Sequence, residues 1–122
     1  MATPTIKGID ISAYPVTDAE RALAFYRDVM GMKPTVEHPG RGAEFTLSDG
    51  ATFGIWRPED ESGWTKGSGV MFSVDDATAA ADYFRARGAN IESEIFESAV
   101  CFMAFGEDTE GNTFILHQRK AT

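Results

Sequence analysis

The sequence predicts an α+β fold of two tandem β-α-β-β-β modules. Three observations predict it: an internal repeat, one amphipathic helical stripe in each half, and turn chemistry that cuts the rest of the chain into short strands. Val16-Thr17-Asp18-Ala19 aligns with Val74-Asp75-Asp76-Ala77 at an offset of 58, which also sets Ala22 on Ala80 and Phe25-Tyr26-Arg27 on Tyr83-Phe84-Arg85. At an offset of 61, Asp49-Gly50-Ala51-Thr52-Phe53-Gly54-Ile55-Trp56 aligns with Glu110-Gly111-Asn112-Thr113-Phe114-Ile115-Leu116-His117. The expected organisation is one domain, residues 1–122, with module one at 6–57, a linker at 58–67 and module two at 68–118.

Each module opens on a β-prone run, Ile6 to Ala13 and Gly69 to Val74, where apolar residues alternate or run together. A helix follows. In the first, Thr17 and Glu20 stand at capping-box spacing, Ala22, Leu23, Tyr26, Val29 and Met30 form an apolar stripe, and Gly31 suits the left-handed C-terminal position. In the second, Asp75 or Asp76 caps, Ala77, Ala80, Ala81 and Phe84 form the stripe, and Gly88 ends it. Three strands complete each module: Lys33 to Glu37, Ala43 to Leu47 and Thr52 to Arg57, then Asn90 to Phe96, Val100 to Phe105 and Thr113 to Gln118. Pro39-Gly40-Arg41-Gly42, Ser48-Asp49-Gly50 and the run from Glu107 to Asn112 supply the turns.

The chain has 122 residues, 43% of them hydrophobic, enough to bury a proper core. Its formal net charge of −8 repels phosphate backbones and no basic stripe interrupts it, which argues against nucleic acid. The acidity would also favour a cationic ligand, although a solvated, soluble surface is the favoured reading of it. No apolar run reaches the roughly 18 residues of a spanning helix, so no membrane partner is expected. The opening Met1-Ala2-Thr3-Pro4-Thr5 lacks a signal-peptide profile. Cys101 is the only cysteine and forbids an intramolecular disulfide, so a cytoplasmic location is expected.

The duplicated pattern resembles the vicinal oxygen chelate superfamily, which contains glyoxalase I, extradiol dioxygenases, and bleomycin and fosfomycin resistance proteins. The matching motifs are Val16-Thr17-Asp18, the run from Ala24 to Met32, and Asp108-Thr109-Glu110-Gly111-Asn112 before the last strand. The resemblance implies a curled eight-stranded mixed sheet around a ligand cleft, helices outside, commonly completed by a homodimer. It also implies metal ligands on the first and last strands of each module. Those positions fall on Ile11, Gly54, Gly69 and Ile115, none of which carries a donor atom. A register slip by one residue offers Asp10 or Ser12, Ser68 or Val70, and otherwise only Phe, Ile or Leu, so the family's site is not restored. No metal and no other cofactor is expected.

If those four positions face the cleft, period-two alternation adds Ile9, Ala13, Trp56, Met71, Thr113 and His117 to the same face. From these the expected ligand-binding residues are Ile11, Ala13, Trp56, Met71, Ile115 and His117, with Trp64 of the linker closing over the ligand, docking a partner or equally packing back on its own domain. Trp56 stacks, Met71 and Ile115 adapt, and His117 makes the polar contact. The same side chains would equally fill the interior of a small sheet, and His117 could be structural. No catalytic set is assigned; His117 is the one candidate, because an unperturbed imidazole titrates near neutrality. Cys101, among Val100, Phe102 and Met103, reads as a buried inert thiol. His38, beside Pro39-Gly40, reads as solvated, Glu59-Asp60-Glu61 as a wet surface or a rim attracting cations, and Gly31, Gly88 and Gly111 as positive-φ devices.

The expected function is therefore binding of an apolar or aromatic organic molecule in a metal-free cleft of a glyoxalase/bleomycin-resistance-type protein. The alternatives are a lyase, isomerase or dioxygenase using a relocated metal or His117 as base, and a degenerate, solidly packed domain acting only through protein contacts.

Overall fold

Backbone pairing begins later than the apolar pattern does. The computed structural model describes residues 3–121; Met1, Ala2 and Thr122, which belong to the opening segment and the end of the expected domain, lie outside them. The first strand, β1, is Ser12–Pro15 rather than Ile6 to Ala13. A strand needs a neighbour, and β4 (Thr52–Trp56), which β1 pairs in parallel from Ser12↔Phe53 to Pro15↔Trp56, is preceded by the turn at Gly50. Residues upstream of Ser12 find no ladder, and Ile6 and Ile9 are 91% and 86% exposed.

Helix α1 (Ala19–Ala24) is capped by Asp18, whose side chain accepts from the Arg21 N–H. The Thr17/Glu20 capping box does not form, because Thr17 donates to Glu110 and Glu20 accepts from the Gly40 N–H. A π-helical turn over Phe25–Val29 continues α1 and buries both Phe25 and Tyr26 before Gly31 reverses the chain at φ 72°. Strands β2 (Pro34–His38) and β3 (Gly42–Thr46) complete a sheet in the order β1-β4-β3-β2.

The second half repeats the plan. It comprises β5 (Val70–Ser73), α2 (Ala77–Ala86, capped by Asp76), β6 (Asn90–Ile91), β7 (Phe96–Glu97), β8 (Cys101–Glu107) and β9 (Thr113–Arg119). The sheet order is β5-β9-β8-β6, with β7 also pairing β8. The single strand expected over Asn90 to Phe96 is broken into β6 and β7. The Arg85 guanidinium takes the carbonyls of Ile91 and Glu92, and the chain leaves the ladder there. The strands described are nine instead of eight, in two mixed sheets that do not close into a barrel.

The parallel pairs of the two halves correspond one to one. Ser12↔Phe53, Ala13↔Gly54, Tyr14↔Ile55 and Pro15↔Trp56 map, under the offsets 58 and 61, onto Val70↔Phe114, Met71↔Ile115, Phe72↔Leu116 and Ser73↔His117. The duplication thus extends to strand register. Tyr14 on β1 ties the halves: its hydroxyl donates to the Thr113 carbonyl and accepts the Val70 N–H.

Each sheet has a helix-covered face and an open one. On the covered faces, aromatic rings run continuously from one half into the other: Tyr26 to Phe53 at 5.0 Å, Phe53 to Phe72 at 5.1 Å and Phe72 to Phe114 at 5.8 Å between centroids. This shared core is the main cohesion of the fold, each buried ring contributing about 2–3 kcal/mol. Cys101 is buried, as expected.

Candidate ligand-binding site

Alternation along β3 and β4 turns Ala43, Phe45, Phe53 and Ile55 into the core and leaves Gly42, Glu44, Thr46, Thr52, Gly54 and Trp56 on the open face. Across the strands, one row reads Val36, Glu44, Gly54, Ala13, and the next His38, Gly42, Trp56, Pro15. Gly54 and Ala13, side by side in one row, leave a hollow of about 120 Å³, walled by Ile11, His38, Glu44 and Trp56. Gly54 is its floor: a Cβ placed there would stand 3.3 Å from Ile11 Cγ2. Gly42 lets the indole lie across the strand, since a Cβ there would press on the Ile55 carbonyl and stand 3.1 Å from Trp56 Cε3.

Trp56 is 47% exposed. The Arg41 guanidinium lies 5.2 Å from its ring centroid, and His38 meets it edge-on at 5.9 Å. His38 is therefore exposed but packed on the indole, more than the solvated strand end expected of it. Ile11, Ala13 and Trp56 line this hollow together.

Met71, Ile115 and His117 share the open face of the other sheet, paired across to Phe105 and Met103. They do not meet Trp56 within the chain: the hollow is lined by no residue of the second sheet. Met71, 53% exposed, instead borders a larger groove of about 810 Å³ between the halves, with Met30, Lys33, Leu47, Phe53 and Val74. Trp64 lines neither depression; it is partly buried, and its indole N–H finds no acceptor among the described residues. The His117 side chain has no hydrogen-bond or ion-pair partner among the described residues, so nothing orients it as a base.

Glu44 and Arg41 were not anticipated. Alternation could have found Glu44, the one acid in the run Ala43 to Leu47 and opposite in phase to its apolar residues. Arg41 sits in a turn, where no periodicity speaks.

The strongest electrostatic feature lies away from this face. Glu110, its side chain fully buried, accepts from the Thr17 and Asp18 N–H groups, the Thr17 and Thr109 hydroxyls and Arg21. Burial pushes its carboxyl up, but those donors outweigh it and hold it at about 2. Beside it, Asp108 accepts from the Tyr26 hydroxyl at 2.6 Å and from Asn112, and burial followed by that negative charge raises the Tyr26 phenol. With both carboxylates buried and supplied with donors, this network is a clamp between the halves.

Two halves of β-α-β-β-β build, repeated in register, define the class of duplicated-module mixed-sheet proteins. The chain belongs to the Glyoxalase/Bleomycin resistance protein/Dioxygenase superfamily, whose family model matches residues 8–116. Among curated proteins it is 29% identical to a probable lactoylglutathione lyase of Vibrio parahaemolyticus, 86% of each chain being covered. Among solved structures it is similar to TnmS3, an antibiotic binding protein from Streptomyces sp. CB03234, with 20% identity, TM-score 0.83, and 97% of this chain and 100% of the other covered. A lactoylglutathione lyase from Agrobacterium tumefaciens has 20% identity and TM-score 0.78, with 94% and 96% covered. At these identities the structural likenesses establish the fold alone.

The superfamily's enzymes imply a metal, and the residues here do not fit one. The four positions are Ile11, Gly54, Gly69 and Ile115, and Ile11 and Gly54 are in fact neighbours across the sheet with no donor between them. Among the described residues no group of three or more His, Cys, Asp or Glu is placed to hold a metal ion.

Proposed function

We propose that the protein binds an apolar or aromatic organic molecule against Trp56, without a metal, in a cleft that a second copy completes. The observation that carries the reading is the half-exposed indole over a preformed hollow of small residues, since a large aromatic left in water beside space of its own is an anchor for a ligand. The second copy follows from the separation of the two open faces. Trp56, Val36 and Ile11 on one sheet and Met71 and Phe96 on the other are exposed apolar side chains, and apposing the first sheet of one copy to the second sheet of another covers both. It would bring Met71, Ile115 and His117 opposite Trp56. The similarity to an antibiotic binding protein supports binding without chemistry as the role, and the lone buried thiol suits a cytoplasmic setting.

The test combines sedimentation of the free protein with titration of uncharged fused-ring aromatics into the Trp64→Phe variant, where Trp56 is the only indole. A dimer and saturable quenching are expected, and Trp56→Ala should weaken calorimetric affinity by roughly 1–3 kcal/mol. A monomer, or affinity indifferent to Trp56, would overturn the reading. The lyase reading, favoured by the Vibrio relative, would instead show metal-dependent turnover.

A further inference from the structure

Glu44 has no visible occupation. Its carboxylate stands on the open face between Val36 and Gly54, lines the hollow, and makes no ion pair and no side-chain hydrogen bond among the described residues. Nothing in folding asks for an acid there, because the position packs no core and caps no helix. It lies one row from the Trp56 ring, whose face already attracts a cation: Arg41 holds its guanidinium 5.2 Å from the centroid. Arg41 is loosely held, its one carboxylate partner among the described residues being Glu59 at 3.8 Å, which is 89% exposed. Of the other walls, Ile11, Ala13, Ala43, Gly54 and Ile55 offer a positive group no competing side-chain donor, and His38, packed edge-on against the indole, is the one further polar side chain.

Resting on the reading that this face binds a ligand, we propose that it selects an organic cation, an alkyl- or arylammonium whose charge lies between Glu44 and the Trp56 ring. The binding elements are complementary. A π face and a carboxylate both favour a positive charge, and the hollow over Gly54 takes the alkyl or aryl groups that surround it. Arg41 acts as a resident substitute that the ligand displaces. The chain's formal charge of −8 draws such a ligand in over distance and weakens with salt.

Trp56 emission of the Trp64→Phe variant is followed during titration with benzyltrimethylammonium, with its uncharged isostere neopentylbenzene, and with benzenesulfonate, at fixed ionic strength. The cation is expected to bind about tenfold more tightly than the neutral probe, and the sulfonate more weakly than either. Glu44→Gln should remove most of that preference, and Arg41→Ala should strengthen the cation severalfold. Binding of neutral and cationic probes with equal affinity, or a preference that survives Glu44→Gln, or a weakened cation in Arg41→Ala, overturns the cation assignment alone. Silence from all three probes overturns the ligand-binding reading together with it. Circular dichroism of each variant establishes that the fold is kept.

Discussion

Arg21 and Glu110, 89 residues apart in the chain, meet through an Arg21 Nε to Glu110 Oε2 contact of 2.7 Å at the start of α1. The guanidinium is half in solvent while the carboxylate is fully enclosed, so the two ends of the pair are not equivalent. The acid is the part that folding cannot leave alone. Removing it strands the Thr17 and Asp18 N–H groups and the Arg21 charge; removing Arg21 leaves Glu110 with its remaining donors.

Glu110→Ala should therefore destabilise the protein by about 2–4 kcal/mol, against about 1 kcal/mol or less for Glu110→Asp with repositioned donors. Urea midpoints of the two variants check the order. Equal midpoints for wild type and Glu110→Ala would remove the clamp from the account of the fold.

The same carboxylate sets an acid limit. Its folded value of about 2 lies below its ordinary 4.5, so the stability it contributes is fully present above pH 4.5 and is lost as the pH falls toward 2. The loss is on the order of 2–3 kcal/mol, and it should be absent from Glu110→Gln. Urea unfolding between pH 2 and 6 measures it.

Tyr26→Phe deletes the hydroxyl that donates to Asp108 in a closed interior while keeping the ring among Phe25, Phe45 and Phe53. Because packing is kept and an acceptor is left short of a donor, a cost of about 1–2 kcal/mol is expected in the same urea assay. A neutral result would mean that Asn112 suffices for Asp108.

Gly42→Ala in the Trp64→Phe background should cost roughly 1–3 kcal/mol and red-shift Trp56 emission, because its methyl meets the Ile55 carbonyl and lifts the indole toward solvent. Thermal melts and fluorescence spectra give the two readings independently. An unchanged spectrum would place the indole elsewhere.

Calorimetric titration of chelator-treated protein with nickel, zinc, manganese and anaerobic ferrous ions should show no stoichiometric binding tighter than about a micromolar, near −8 kcal/mol. Ile11, Gly54, Gly69 and Ile115 supply no donors, and no other cluster replaces them among the described residues. Tight binding would redirect attention to His117 and reopen lyase chemistry.

Much of the architecture was legible in the chain because duplication writes the same local rules twice. The cap at Asp76 and the turn glycines at 31, 88 and 111 follow from spacing. So does the shared face of Ile11, Ala13 and Trp56, since alternation along a strand is a local property. What spacing could not set was decided by partners distant in sequence. The first strand starts at Ser12 because β4 has nothing upstream to pair with; Thr17 gives up its capping role to the buried Glu110; Arg85 breaks the strand after Ile91. The site divides in the same way. Residue types alone removed the metal donors, whereas the hollow beside Trp56, the idle carboxylate of Glu44 and the separation of Trp56 from His117 depend on which strands lie side by side, and hydrogen bonding between strands fixes that only when the whole sheet is assembled.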